Sequence, residues 1–264
     1  MILDRFRLDD RVALVTGAGR GIGRGIALAF AEAGANVVCA ARTPSEVEAT
    51  ARGIEALGRR AVALRADVSE EREVESLGAK ALEAFGRVDV LVNNAGGWPP
   101  SSIAKTTRTS FEEAFRFNVL SAFQLSQAVL PAMVESGGGV ILNISSALSH
   151  LVEKPFVVYG TCKAALNHMT RMMAHELAPK VRVNALAVGA VETSALTPFI
   201  SMGDLRSKME SLTPLGRIGT PEDVAALALY LCSSAGEWVT GKVYEVDGGT
   251  TASNWPLDMT TLGI

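Results

Sequence analysis

Tyr159 and Lys163 are four residues apart in a stretch of helical periodicity, so their side chains are expected on one face of a helix. A free tyrosine has a pKa of about 10, and a neighbouring ammonium group favours the phenolate and lowers that pKa. Such a pair could donate a proton to a carbonyl oxygen or accept one from an alcohol. Because tyrosine–lysine pairs also decorate exposed helix surfaces, the pair alone does not define a site.

A glycine-rich turn at residues 16–23, with the sequence TGAGRGIG, joins a short apolar run to an amphipathic stretch. Without Cβ atoms, its glycines let the backbone turn sharply and approach a pyrophosphate closely. The free N–H groups at the start of the following helix would point at the phosphates, aided by the helix dipole. This strand–turn–helix context predicts a dinucleotide site. The alternative interpretation is a plain tight turn.

The end of the second predicted strand bears on which dinucleotide is bound. NAD-binding domains usually carry an acid there, which holds the ribose hydroxyls. Here the strand ends in CAART, residues 39–43, without an acid. Arg42, and Arg20 from the glycine-rich turn, could instead pair with a 2′-phosphate, whose geometry matches the guanidinium fork. The sequence therefore favours NADP(H) over NAD(H). The alternative is that both arginines are solvated surface residues.

The elements that must position these residues alternate regularly along the chain. Short β-branched and apolar runs predict strands, and stretches with helical spacing of apolar residues follow them. The predicted strands are residues 11–16, 36–41, 60–66, 88–93, 138–144, 181–186 and 242–246; the predicted helices are residues 22–33, 44–57, 70–85, 110–136, 158–177 and 221–232. The pattern predicts a Rossmann fold of the α/β class: one doubly wound, mostly parallel, seven-stranded sheet with helices on both faces.

Residues 1–264 are interpreted as one domain, because neither a linker nor a repeat interrupts the alternation. Two segments are longer than simple connections, residues 97–109 and residues 189–219. Both follow predicted strands at their carboxyl ends, where open α/β sheets bind their ligands. We expect residues 189–219 to form the substrate loop.

Composition argues against several functions. The chain carries 25 basic and 28 acidic side chains, a formal net charge of −3, without a basic stripe suited to nucleic acid or a membrane surface. The N-terminus does not resemble a signal peptide, and no uninterrupted apolar run reaches the roughly 20 residues that cross a bilayer. Cys39, Cys162 and Cys232 are widely spaced, so we expect free thiols, a cytoplasmic protein and no metal site.

Several motifs occur together in one order: TGAGRGIG at residues 16–23, NNAG at residues 93–96, Asn118, Ser145 and Ser146, and YGTCK at residues 159–163. On these residues, over about residues 8–249, the chain resembles the short-chain dehydrogenase/reductase (SDR) family. Within it, the chain is similar to the bacterial 3-oxoacyl-carrier-protein reductases and hydroxysteroid dehydrogenases. The resemblance implies hydride transfer between a nicotinamide and a carbonyl or secondary alcohol.

The resemblance also implies the catalytic residues. Tyr159 would be the general acid/base, and Lys163 would lower its pKa and hold the nicotinamide ribose. Ser146 would orient the substrate oxygen; it is preferred to Ser145 because the family serine usually lies thirteen residues before the tyrosine. Asn118 would leave a backbone carbonyl free to hold a water in a proton relay.

The implied cofactor-binding residues, including the two arginines, are Gly17, Gly19, Arg20, Gly21, Ile22, Gly23, Arg42, Asp67, Val68, Asn94, Ala95, Gly96, Tyr159, Lys163, Gly189, Val191 and Thr193. Asp67 and Val68 would contact the adenine, although Asp67 is also suited to cap the next helix. Thr193 and the backbone of Val191 would hold the carboxamide. The chain departs from the family at Val188, where a proline usually stiffens the approach to the nicotinamide.

The substrate is left open by the sequence, which is compatible with a 3-oxoacyl thioester or another ketone. One alternative is an NAD-dependent secondary-alcohol or hydroxysteroid dehydrogenase. Another is a silent nucleotide sensor, which the presence of both tyrosine and lysine disfavours. Trp98, Phe156, Phe199 and Met202 could line an apolar pocket or simply pack loops together. Since family members are commonly tetramers, the resemblance implies a homotetramer.

Overall fold

The architecture is the predicted seven-stranded sheet with helices on both faces. The structure is a computed structural model and describes residues 1–256. The strands are β1 (Val12–Thr16), β2 (Asn36–Ala41), β3 (Ala61–Arg65), β4 (Val90–Asn93), β5 (Gly139–Ser146), β6 (Val181–Val188) and β7 (Val243–Val246). They pair in parallel in the order β3-β2-β1-β4-β5-β6-β7. The strand order reverses between β1 and β4, which leaves a crevice at their carboxyl ends.

Helices cover both faces of the sheet, and they fix the positions of the loops that connect them to the strands. They are α1 (Gly21–Glu32), α2 (Pro44–Ala56), α3 (Glu71–Phe85), α4 (Arg108–Phe115), α5 (Ser121–Glu135), α6 (Val157–Leu177), α7 (Thr197–Ile200), α8 (Leu205–Ser211) and α9 (Pro221–Cys232). Local sequence explains several ends. Pro44 opens α2, and the Thr220 side chain accepts the Asp223 N–H in a capping box that opens α9. Gly86 ends α3 in a left-handed conformation, with φ of 74°.

The predicted helix at residues 110–136 is wrong in one respect. A π-helical turn, Arg116–Leu120, separates α4 from α5. The buried Asn118 lies in this turn, and its amide nitrogen donates to the Ala114 carbonyl at 2.9 Å. A side chain that binds a helix carbonyl in this way competes with the regular backbone hydrogen bonds of an α-helix. Two further differences concern β5 and β6, which each run two residues beyond the prediction, and α7 and α8, which the sequence analysis left as loop.

Two apolar layers hold the sheet between its helices. One contains Ile26 and Phe30 of α1 with Val224 and Leu231 of α9; the other contains Val74 and Leu77 of α3 with Leu125 and Val129 of α5. All of these side chains are buried, and burying one of them fully contributes roughly 1.5–3 kcal/mol. The sheet is therefore a rigid platform, and the residues at its carboxyl edge have fixed positions.

The run Arg108–Glu135, which comprises α4, the π-helical turn and α5, is long and apolar enough to cross a bilayer by length and composition. Polar side chains such as Asn118, Gln124 and Gln127 interrupt it, so it is not an uninterrupted apolar run. In the fold, α5 packs against α3 and β5, and Leu125, Val129 and Met133 are buried there. Its apolar character is that of a core helix.

Candidate active site

A groove of about 390 Å³ opens at the carboxyl edge of the sheet, above β1, β4, β5 and β6. The structure brings nearly all of the predicted site residues together around it. The exceptions are Asn118 and Val191, which are buried behind its wall. Residues that line the groove and were not predicted are Ala40, Ala41, Thr43, Glu46, Ala66, Gly97, Phe117, Ile144, Ser145, Val188, Ser194 and Ala195.

The glycine-rich turn is shaped for close approach by a ligand. Gly17 has φ of +64°, and a Cβ there would lie 2.6 Å from Asn94 Nδ2. That amide donates to the carbonyl of Thr16 at 2.8 Å, so Asn94 fixes the turn from the end of β4. A side chain at Gly17 would break this brace and adopt a disfavoured conformation. The cradle in front of α1 fits the pyrophosphate of a dinucleotide.

Charged side chains surround the far end of the groove. The Arg42 guanidinium carbon lies 5.9 Å from the centre of the Phe117 ring. Burial acts to raise the pKa of Asp67, but hydrogen bonds from Ser69 and the charges of Arg42 and Arg65 lower it below its ordinary value. Asp67 Oδ1 accepts from the Ser69 N–H at 3.0 Å, so it braces the turn before α3 as well as lining the groove.

Glu46 is a charged groove residue that the sequence analysis missed. Its carboxylate lies 3.7 Å from the Arg20 guanidinium. A Cβ on Gly19 would lie 2.8 Å from Glu46 Cβ, which shows how closely α2 approaches the glycine-rich turn. The available signal was an acid in the first turn of the helix after the strand end, three residues beyond Thr43. Arg20, a predicted partner for a 2′-phosphate, is thus already paired with the carboxylate of Glu46.

Ser146 ends β5, and Tyr159 lies in the first turn of α6. Burial raises the pKa of Tyr159, and a hydrogen bond with Ser146 only partly opposes this effect. The lowered tyrosine pKa that the sequence predicted is therefore wrong for the protein alone, because burial outweighs the favourable contacts. The Ser145 hydroxyl instead donates to the Lys163 carbonyl at 3.2 Å. Since the Ser145 hydroxyl is engaged by the backbone of α6, Ser146 is the serine whose hydroxyl is available to the tyrosine.

Lys163 is a buried cation, 3% exposed, behind the tyrosine. Its Nζ donates to the Ile144 carbonyl at 2.9 Å and lies 5.7 Å from the centre of the Tyr159 ring. Burial lowers the pKa of Lys163 to about 8. Lys163 therefore changes its charge near neutral to mildly alkaline pH. When protonated, it places a positive charge on one side of the groove.

Asn118 does not line the groove but binds the backbone of Gly97, which does. Its Oδ1 accepts from the Gly97 N–H at 2.9 Å, and its Nδ2 donates to the Gly97 carbonyl at 3.0 Å. A Cβ on Gly96 would lie 2.9 Å from both Asn118 Oδ1 and Lys163 Nζ. The π-helical turn is thereby joined to the segment after β4. The water-holding role of its backbone carbonyl stays a prediction.

The backbone after β6 is held despite the missing proline at Val188. The Gly189 N–H donates to the Val246 carbonyl at 3.0 Å. A Cβ on Gly189 would lie 2.6 Å from Asp247 Cβ, so this glycine packs tightly against the end of β7. Val191 forms a bridge with Gly219 and its side chain joins the core, whereas Thr193 lines the groove.

A smaller cavity of about 170 Å³ adjoins Ser146 on the side of the predicted substrate loop. Phe156 lines it, which is the first of the two alternatives for this residue, and so does Trp255, which the sequence did not single out. Trp255 packs edge-on between Phe156 and Phe199, with ring centres 5.5 Å and 5.3 Å away. Trp98 lines a different cavity, beside Arg42. The Met202 side chain is exposed.

His150 lies outside this arrangement, with its Nε2 3.5 Å from Glu245 Oε1. Together with Asp247 these side chains place three potential ligand atoms within 4.8 Å of one another. His150 and Glu245 are exposed, and exposed acidic groups are common without a metal ion. The expectation of no metal site stays a prediction.

The fold and the groove define a nicotinamide-dependent oxidoreductase that acts on an alcohol or ketone. A family model described as enoyl-(acyl carrier protein) reductase matches residues 17–251, and the chain belongs to the SDR family. An oxidoreductase of Mycobacterium tuberculosis is 50% identical over 99% of this chain and 100% of its own length. The 7α-hydroxysteroid dehydrogenase of Escherichia coli K12 is 42% identical over 93% of this chain and 96% of its own.

A solved structure supports the same assignment. A 7α-hydroxysteroid dehydrogenase in complex with NADH and 7-oxo glycochenodeoxycholic acid superimposes with a TM-score of 0.91 at 42% identity. The match covers 94% of this chain and 97% of that one.

Proposed function

We propose that the protein transfers a hydride between NADP(H) and a carbonyl or secondary-alcohol substrate, such as a 3-oxoacyl thioester or another ketone. The proposed preference for NADP(H) rests on the position of Arg42. It follows β2, whose end carries no acid, and lines the groove beside Phe117 and Asp67. A guanidinium in this position suits a 2′-phosphate, whereas an acid would suit free ribose hydroxyls.

In the proposed reaction, the bound nicotinamide supplies or accepts the hydride. The hydroxyls of Ser146 and Tyr159 hold the substrate oxygen. Tyr159 gives that oxygen a proton in reduction and takes it in oxidation. The buried Lys163 ammonium favours the phenolate during oxidation, when the raised tyrosine pKa would otherwise oppose proton removal. Asn118 keeps the segment around Gly97 in place.

The test is oxidation of NADPH and of NADH, followed by absorbance, with a panel of ketones that includes a 3-oxoacyl thioester. NADPH should be oxidised faster than NADH at equal concentration. Tyr159→Phe should lower the rate by about 10²–10⁴-fold while the cofactor still binds. Faster oxidation of NADH would refute the cofactor preference. Full activity of Tyr159→Phe would refute the proton donor. Cofactor binding without turnover of any ketone would favour the nucleotide sensor.

A second candidate is an NAD-dependent hydroxysteroid dehydrogenase. The relative that binds NADH and a 7-oxo steroid favours it, since 42% of residues are identical. Glu46 also favours it, because its carboxylate withdraws Arg20 from a 2′-phosphate. The same measurement separates the two candidates, provided that the panel includes 7-oxo glycochenodeoxycholic acid.

We further propose a cytoplasmic homotetramer. Cys39, Cys162 and Cys232 are buried free thiols, in keeping with a reducing compartment. Leu120 at the end of the π-helical turn, Phe123 in the first turn of α5 and Met172 on α6 are large apolar side chains that are 42–59% exposed. Such residues suit a contact between subunits. Light scattering coupled to size-exclusion chromatography measures the assembly directly.

A further inference from the structure

The small cavity beside Ser146 fits only the part of a substrate that surrounds the reacting carbon. Its walls are mainly apolar and include Leu148, Leu151, Phe156, Leu196 and Met209. At about 170 Å³ it is smaller than typical ligand pockets, which span roughly 300–1,000 Å³. A larger substrate must therefore extend out of it.

Trp255 connects this cavity with an outer groove of about 590 Å³, because its indole lines both. The indole is held by Phe156 and Phe199. Its Nε1 is buried and has no acceptor among residues 1–256. Since a buried N–H group normally has a partner, this donor is placed for an acceptor on a ligand that passes between the two spaces.

The outer groove carries two lysines. It is lined by Val152, Glu153, Lys154, Lys208, Ser211, Leu212, Trp255 and Pro256. Lys154 forms no ion pair with any residue in the described part of the chain, and Lys208 lies 3.1 Å from Asp204, an exposed partner outside the lining. Glu153 is the acid of this lining, and its Oε1 accepts the Lys154 backbone N–H at 2.7 Å. The described lining thus contains two lysines and one glutamate.

We propose that the substrate is an amphipathic ketone, or the matching alcohol, whose distal end is an anion bound by Lys154 and Lys208. This inference rests on the proposed function, because it places the reacting carbonyl at Ser146 and Tyr159. The apolar body of the substrate lies along Trp255, and the anion lies in the outer groove. The anion is a carboxylate of an acidic lipid or steroid, or a phosphate of an acyl thioester; both satisfy the same charges.

The test compares matched charged and uncharged substrates. The carboxylate pair is 7-oxo glycochenodeoxycholic acid and its methyl ester. The phosphate pair is a 3-oxoacyl coenzyme A and the corresponding N-acetylcysteamine thioester. KM and kcat are measured for the parent, for Lys154→Gln/Lys208→Gln, and for Lys180→Gln, an exposed lysine before β6 at the opposite edge of the sheet.

The parent should have the lower KM for the charged member of one pair, and that pair identifies the anion. In the double variant the ratio of the two KM values should shrink by about tenfold, as expected for two ion pairs in a partly solvated groove. The shrinkage should weaken in high salt. Lys180→Gln should keep the parental ratio. Equal KM values within both pairs, or a ratio unchanged in the double variant, would overturn the inference.

Failure of the proposed function gives a different result, namely no turnover of any ketone, charged or not. In that case, calorimetric titration of the cofactor-loaded protein with 7-oxo glycochenodeoxycholic acid and with coenzyme A still decides the inference. Binding of one anion that the double variant weakens about tenfold supports it. Equal binding to parent and double variant, or none, overturns it.

Discussion

The Lys163 ammonium lies 5.7 Å from the centre of the Tyr159 ring, yet its hydrogen bond goes to the Ile144 carbonyl at 2.9 Å. One buried cation thereby ties α6, which carries the tyrosine, to β5, which ends in Ser146. The lysine thus has an effect on geometry as well as on charge. Its burial also makes the stability of the protein depend on pH.

Lys163→Met is expected to alter that pH dependence. Burial lowers the pKa of Lys163 from 10.5 to about 8. Between these values the unfolded chain binds more protons at this group than the folded chain, so its contribution to the free energy of unfolding rises with pH. This contribution decreases as pH falls from 10.5 and is lost once pH has fallen through about 8. The difference in unfolding free energy, parent minus variant, should therefore increase by about 1–2 kcal/mol between pH 8 and pH 9.5.

Urea unfolding at several pH values between 7.5 and 9.5 measures this difference. The buried thiols Cys39 and Cys232, whose pKa values burial raises to about 12, titrate in both proteins and cancel. Lys180→Met, which removes an exposed ammonium, should stay parallel to the parent at every pH. A Lys163→Met difference that does not vary with pH would show that the folded lysine keeps its ordinary pKa.

Asn118→Ala should impair both stability and catalysis. The change leaves the Gly97 N–H and carbonyl without their partner side chain, together with the Ala114 carbonyl. Groups left unsatisfied in this way cost about 1–3 kcal/mol. Because the Gly97 segment borders the groove, kcat should fall about 10²-fold, a size typical of small misplacements. KM for the cofactor should change less.

The control for Asn118 is Gln127→Ala on the exposed side of α5. It changes the same helical run without touching Gly97 and should keep the parental melting temperature and kcat. Parental kcat in Asn118→Ala, measured at a temperature where the variant is folded, would remove Asn118 from the catalytic arrangement.

The strands and the longer helices were predictable because they have strong local signals. Every strand of the sheet was predicted as a strand, since strands buried on both faces are continuous apolar runs. The π-helical turn at Arg116–Leu120 was not predictable, because it depends on a tertiary contact between Asn118 and Gly97. Helices α7 and α8 are short, at four and seven residues, and too few apolar positions mark their period.

The site was predictable where residue type and position in a motif coincide. The glycine-rich turn, Ser146, Tyr159 and Lys163 are brought together as their motifs imply. Glu46 and Trp255 were missed because an acid in a first helical turn and an isolated aromatic residue are weak signals on their own. Their places follow from packing between distant segments, α2 against Gly19 and Trp255 against Phe199.

Asp89 gives a prediction on stability at the opposite edge of the sheet. The carboxylate is 2% exposed and accepts from the Val12 N–H and from Arg11, each at 2.9 Å, and also from Arg87. Asp89→Ala should lower the free energy of unfolding by about 1–3 kcal/mol, because the Val12 N–H loses its acceptor and the arginines are only partly solvated.

Thermal unfolding checks the Asp89 variant against Asp10→Asn. Asp10 is 94% exposed and pairs with Arg59 at 3.4 Å, and asparagine tolerates its left-handed backbone, with φ of 59°, so the loss of this charge should change stability little. Cofactor affinity should remain parental in both variants, since neither aspartate lines the groove. Equal melting temperatures for the two variants would mean that the buried carboxylate adds nothing beyond a surface pair.

Arg42→Ala and Glu46→Gln should move the cofactor preference in opposite directions. Arg42 lines the groove without an acid beside it on β2, so its loss should lower the ratio of kcat/KM for NADPH to that for NADH about 10- to 100-fold. Glu46 lies 3.7 Å from Arg20, and both side chains are partly exposed. Removing its charge frees Arg20 and should raise the ratio about two- to fivefold.

Glu48→Gln is the matched control, because Glu48 lies on the same helix, is exposed and does not line the groove. It should leave the ratio unchanged. The Glu46→Gln effect is interpreted from its sign and from which of the two kcat/KM values changes, because a lower value for NADH also raises the ratio. A lowered ratio would mean that Glu46 supports binding of the phosphate through Arg20, for instance by orienting the guanidinium. A lowered kcat/KM for NADH alone would instead make Glu46 the acid that holds the ribose hydroxyls, supplied by α2 in place of the end of β2.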